Sequence, residues 1–124
     1  MLGKFVLWLS AIVFMAFGLV CLFSPALPAN YAGLEFVTGD AMPEIGAMYG
    51  GLQTGFGLFC LVAALKPAHY RSGLLLLVVA IGLLAVGRLY STLVGTSEVG
   101  LYTWGAITYE FATAIIALIA LRKS

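Results

Sequence analysis

Four apolar runs of about 20 residues each restrict this sequence to very few folds. They cover about 5–23, 45–65, 73–94 and 104–121. A transmembrane helix needs roughly 20 mostly apolar residues, and none of the runs alternates polar with apolar positions as a barrel strand does. The runs therefore predict an all-α protein, an integral membrane four-helix bundle that forms a single transmembrane domain over 1–124.

The composition supports a lipid environment and excludes several classes of protein. Hydrophobic residues make up 63% of the chain and charged residues 9%, against about 45–50% and 25% in soluble domains. Six Lys and Arg against five Asp and Glu provide no basic footprint for a nucleic acid. Two cysteines and one histidine are too few for a four-ligand zinc site. We expect a lipid bilayer as partner, no nucleic acid, and neither a metal nor another cofactor.

Charges outside the runs divide between two sets of loops. Five of the six cations fall in the terminal segments and in the turn between the second and third runs: Lys4, Lys66, Arg71, Arg122 and Lys123. Four acids fall in the other two loops: Glu35, Asp40, Glu44 and Glu98. Because cytoplasmic loops collect Lys and Arg, this division predicts an N-in/C-in topology.

Two segments allow alternative interpretations. The first run is either a membrane span or a cleaved signal peptide, and its length exceeds the usual apolar stretch of about 7–15 residues in signal peptides. In the 24–44 loop, either Asn30 caps a short interfacial helix that carries Leu34, Phe36 and Val37, or the loop packs irregularly over the helices.

Two charged residues, Arg88 and Glu110, lie inside apolar runs. Each is about six residues, or about 9 Å, from the outer end of its run. An unpaired charge at this depth costs roughly 2.5–3.5 kcal/mol on insertion scales. We therefore expect the two side chains to face each other as an ion pair.

The second run adds polar groups at comparable depths. Glu44 stands at its outer end, with Tyr49 and Gln53 about 8 Å and 13 Å further in. These three residues, together with Arg88 and Glu110, are predicted to line one ligand-binding cavity. The alternative is that the ion pair only fixes the register of two helices.

Glycines of the second run form two small-xxx-small steps, Gly46/Gly50 and Gly51/Gly55. Such steps allow close approach of helix backbones. These steps contribute either to helix packing within one chain or to self-association of chains into a homo-oligomer.

Residues 44–53 (EIGAMYGGLQ), residues 55–59 (GFGLF), the Gly87-Arg88 pair and Glu110 resemble an uncharacterised bacterial family of four-helix membrane proteins, domain of unknown function 4345. The resemblance covers nearly the whole chain and implies a multi-pass protein of the bacterial cytoplasmic (inner) membrane. It implies no reaction.

The residues favour a small non-catalytic membrane protein, not an enzyme. We expect it to bind a hydrophobic or amphipathic molecule, such as a lipid, or a partner membrane protein. A small proton-coupled transporter is the alternative, although the first run lacks the carboxylate that small multidrug transporters carry there. An intramembrane isomerase, with Glu44 and Glu110 as acid and base, is a weaker alternative.

Overall fold

The computed structural model describes all 124 residues and consists of five helices without a strand. They are α1 (Leu2–Phe23), α2 (Ala26–Ala32), α3 (Ala41–Leu65), α4 (Pro67–Val94) and α5 (Leu101–Lys123). All except α2 are long and apolar enough to cross a membrane. The predicted all-α fold with four such helices is confirmed, and the chain is a multi-pass membrane protein.

The long helices extend beyond the apolar runs. Helix α3 begins at Ala41 and α4 begins at Pro67, several residues before the runs that they contain. A helix can continue into the polar headgroup layer, where its turns need no apolar side chains. Pro67 suits the first helical turn of α4 because that position needs no backbone N–H.

Helices α3 and α4 each contain a π turn, at Gly46–Gly51 and Leu77–Ile81 respectively. In a π turn the hydrogen bonds connect residues five apart rather than four. The turn therefore changes which side chains share a face of the helix. In α3 it lies between Glu44 and Gln53, two of the predicted site residues.

The chain folds as two compact units, Met1–Leu7 with Ala63–Ser124, and Trp8–Val62. In the first unit α4 and α5 pack against each other along their lengths. Both helices carry buried residues at spacings of three and four, which places each set on one helix face. On α4 these residues are Leu74, Leu77, Ile81 and Ala85. On α5 they are Ile107, Glu110, Thr113, Ala114, Ala117 and Ala120.

In the second unit α1 and α3 approach closely at glycines. A Cβ at Gly57 would lie 2.7 Å from the Met15 nitrogen and 2.9 Å from the Ala11 oxygen. A Cβ at Gly18 would lie 2.9 Å from the Gly50 oxygen. Backbone atoms cannot swing aside as a flexible side chain can, so these positions need glycine.

Only one of the four glycines in the two predicted steps meets another helix. Gly50 lies against Leu22, whose Cα would be 3.1 Å from an added Cβ. Gly46 and Gly55 have open space at that point, and Gly51 faces only its own helix. Packing within the chain is thus shown for Gly50, and self-association through the other glycines stays a prediction.

The short helix of the 24–44 loop differs from the one predicted. Helix α2 contains Asn30 instead of being capped by it. Pro25 precedes the helix with a helical φ of −64°, and Gly33 ends it at a left-handed φ of 76°. The Leu34 N–H closes the turn on the Ala29 oxygen at 2.8 Å. Of the two alternatives for this loop, the helix that carries Leu34 is wrong, because Pro25 and Gly33 place the helix earlier, at Ala26–Ala32.

The close approach at Gly57 predicts a strong effect of one methyl group. Gly57→Ala should lower the free energy of unfolding by about 1–3 kcal/mol, because the added Cβ forces the backbones of α1 and α3 apart. Gly55→Ala, two residues away with open space at its Cβ, is the matched control and should change stability by less than about 1 kcal/mol. Unfolding in mixed detergent micelles measures both, and equal stabilities would contradict the close-packing account.

Candidate functional site

Arg88 of α4 and Glu110 of α5 form a two-pronged ion pair. Arg88 Nε donates to Glu110 Oε1 at 2.9 Å, and Arg88 Nη2 donates to Glu110 Oε2 at 2.9 Å. This parallel arrangement matches the planar guanidinium to the carboxylate and is a strong form of charge-assisted hydrogen bonding. The predicted pairing is confirmed.

The helix contact brings the two side chains together. Arg88 follows Ala85 by three residues and Glu110 follows Ile107 by three, so each charge continues the buried face of its own helix. The Glu110 side chain is 8% exposed and that of Arg88 is 29% exposed. Both carboxylate oxygens of a nearly buried acid are therefore engaged by one cation, which holds α4 and α5 in register.

A second arginine fixes the opposite end of the α4–α5 contact. Arg71 Nη1 donates to the carbonyl oxygens of Leu121 at 3.2 Å and Ser124 at 3.1 Å, and it also contacts Ser124 Oγ. The last carbonyls of a helix lack partners within the helix, and the dipole there favours a cation. Arg71 thus caps α5 from the beginning of α4.

In the second unit a cavity of about 390 Å³ lies where the 24–44 loop meets the start of α3. We call it the acidic cavity. Its lining residues are Leu34, Glu35, Ala41, Glu44, Ile45, Met48 and Tyr49.

The cavity is built by one helix face and one turn. The lining residues of α3, from Ala41 to Tyr49, recur at spacings of three and four, as expected for one face. The loop returns to α3 through a turn at Thr38, whose carbonyl accepts from the Ala41 N–H at 3.2 Å and whose hydroxyl accepts from the Asp40 N–H at 3.3 Å. This turn follows Glu35 and leads directly into α3.

The acidic cavity combines negative charge with apolar walls. Glu35 and Glu44 are its two charged residues, and no Lys or Arg lines it. Glu44 also lies in the first turn of α3, where the helix dipole favours a carboxylate. Tyr49 is 40% exposed and adds a hydroxyl group. The arrangement suits a molecule with a positively charged head and an apolar body.

The structure divides the five predicted site residues. Glu44 and Tyr49 line the acidic cavity, whereas half-buried Gln53 lies further along α3 and is not among its lining residues. Arg88 and Glu110 bind each other within the first unit. One cavity shared by all five residues stays a prediction.

Glu35 is the charged lining residue that was not predicted from the sequence. It lies nine residues before Glu44, in a loop without periodicity. The sequence feature that points to Glu35 is Gly33, because a glycine directly after a short helix commonly ends the helix and redirects the chain.

Comparison with known proteins supports the family assignment. A family model described as Domain of unknown function (DUF4345) matches residues 2–121. Neither the curated proteins nor the solved structures gave a match.

The ion pair predicts an asymmetric set of mutational effects. Arg88→Leu should lower the free energy of unfolding by on the order of 3 kcal/mol, because it strands a buried carboxylate. The double variant Arg88→Leu with Glu110→Gln should lose less unfolding free energy than Arg88→Leu alone. Arg88→Lys should have a stability between those of Arg88→Leu and the unaltered protein, since an ammonium group cannot form the two parallel hydrogen bonds. A double-mutant cycle measured by unfolding in detergent supplies the coupling energy. Additive effects of the two single substitutions would refute the pairing.

Proposed function

The chain belongs to the family described as a domain of unknown function (DUF4345), and we propose that it is a non-catalytic binding protein of the bacterial cytoplasmic membrane. Its ligand is a small amphipathic molecule with a positively charged head. The observation that carries this proposal is the acidic cavity, where Glu35 and Glu44 stand beside the apolar side chains of Leu34, Ile45 and Met48.

The size of the cavity supports a small ligand. Ligand pockets typically measure about 300–1,000 Å³, so 390 Å³ accommodates a head group with one ring or a short chain. Such sites combine apolar walls with a few polar groups that orient the ligand. Two carboxylates without a basic neighbour favour a cationic head over an anionic one.

The Arg88–Glu110 pair has a structural role in this proposal. A proton-coupled exporter needs a carboxylate that can exchange between a proton and its cargo. The two short hydrogen bonds of Arg88 to Glu110 instead hold the intramembrane carboxylate in a fixed pair. This favours binding over transport.

The charge division supports an N-in/C-in orientation, with the acidic cavity at the outer side. Five cations occupy the segments proposed to be cytoplasmic, and four acids occupy the loops proposed to face outward. Each Lys or Arg in a short loop favours the cytoplasmic side. A ligand would then enter from outside the cell or from the outer leaflet.

Binding of a charged probe and its uncharged isostere tests the proposed function. Benzyltrimethylammonium should bind the protein in nanodiscs more tightly than neopentylbenzene, in which carbon replaces the charged nitrogen. Glu44→Gln should weaken binding of the cation roughly tenfold, about 1.4 kcal/mol, with little effect on the neutral molecule. Ligand-observed NMR measures both affinities.

Glu98→Gln is the matched control because it removes one exposed carboxylate outside the acidic cavity. It should leave the affinity for the cation unchanged. If Glu44→Gln and Glu98→Gln lower the affinity for the cation equally, the effect comes from overall surface charge and not from the acidic cavity. Equal binding of the two probes would contradict recognition of a cation.

The orientation is tested by cysteine accessibility in intact cells. Asp40→Cys should react with a membrane-impermeant maleimide, whereas Ser124→Cys should react only after permeabilisation. Native Cys21 and Cys60 are both 0% exposed and should give little background. The reverse labelling pattern would overturn the N-in/C-in proposal.

A further inference from the structure

A second cavity, of about 320 Å³, lies in the first unit, where α1 begins and where α3 gives way to α4. We call it the basic cavity. Its lining residues are Met1, Lys4, Ala63, Ala64, Leu65, Pro67 and Tyr70. Buried Ala63 and Ala64 form its inner part, and exposed Leu65 and Pro67 form its rim.

Two polar groups of the basic cavity have no partner within the protein. Lys4, the one charged side chain of the lining, forms no ion pair, and the Tyr70 hydroxyl forms no hydrogen bond with the protein. The hydroxyl lies so close to Gly3 that a Cβ there would collide with it. This contact holds a hydrogen-bond donor beside the helical turn that carries Lys4.

The same end of the first unit is strongly basic. Lys66 stands between two lining residues in the sequence, and Arg71 follows Tyr70 and caps the end of α5, which itself carries Arg122 and Lys123. All five carboxylate residues of the chain lie elsewhere in the sequence: Glu35, Asp40, Glu44, Glu98 and Glu110. The cations of this end therefore have no acidic residue near them in the sequence, and none of them forms an ion pair with an acidic side chain of the protein.

We propose that the basic cavity binds the phosphate group of an anionic phospholipid. The Lys4 ammonium group pairs with a phosphate oxygen, the Tyr70 hydroxyl donates to another, and the apolar rim at Leu65 and Pro67 contacts the start of an acyl chain. The cavity lies at the ends of membrane-spanning helices, which is the level of lipid headgroups. Basic pockets at this level commonly bind anionic headgroups.

Lipid retention on the purified full-length chain tests this assignment. Native mass spectrometry, after incubation with phosphatidylglycerol or phosphatidylcholine, should show preferential retention of phosphatidylglycerol. Lys4→Gln should reduce that retention roughly tenfold, and Tyr70→Phe should reduce it by a smaller factor. Lys123→Gln removes the same charge from the same basic end without touching the cavity, so it should retain the lipid as the unaltered chain does.

The outcomes separate a built site from general attraction. Equal losses for Lys4→Gln and Lys123→Gln would overturn the proposal, as would equal retention of the two lipids. Displacement of phosphatidylglycerol by millimolar inorganic phosphate would also overturn it, in favour of a free-phosphate site. If Lys4→Gln fails to fold, Tyr70→Phe decides alone: unchanged retention contradicts the site, and reduced retention supports it.

Discussion

The cost of placing an unpaired charge in lipid is the constraint on which this structure depends. With 9% charged residues in the chain, almost every charge lies near a helix end or in a loop. The two exceptions, Arg88 and Glu110, form two parallel hydrogen bonds at 2.9 Å. Small residues allow α4 and α5 to approach each other, since a Cβ at Gly82 would lie 3.7 Å from the Cβ of Ala114. The same ion pair thus fixes the register of α4 against α5 and neutralises both charges.

The sequence predicted most of the fold because lipid enforces simple rules. Apolar length located the four long helices, and depth counting placed Arg88 opposite Glu110 since both lie on the packed face of their helices. The details of the acidic cavity were less predictable. Gln53 lies beyond the π turn at Gly46–Gly51, a local change of helix geometry that counting residues along an α-helix does not anticipate. The position of Glu35 depends on the loop conformation set by Gly33, for which the sequence carries only a weak signal.

The two cavities have opposite chemical character. The acidic cavity offers Glu35 and Glu44 without a cation, and the basic cavity offers Lys4 and the Tyr70 hydroxyl without a carboxylate. The same charge separation underlies the proposed orientation in the membrane. Each cavity lies close to a helix end, where the hydrocarbon core gives way to headgroups and water. The ion pair joins α4 to α5, and the cavities at the helix ends are the proposed binding sites.

Infrared spectroscopy distinguishes a Glu110 carboxylate that is paired with Arg88 from a free acid. The protein is reconstituted in lipid at neutral pH, and subtraction of the Glu110→Gln spectrum isolates the Glu110 bands. If the two parallel hydrogen bonds of Arg88 to Glu110 form in lipid, the difference spectrum shows the antisymmetric stretch of a carboxylate, and its frequency shifts when Arg88 is changed to Lys because the two-pronged geometry is lost. A carbonyl stretch from Glu110 in the unaltered protein would contradict this pairing.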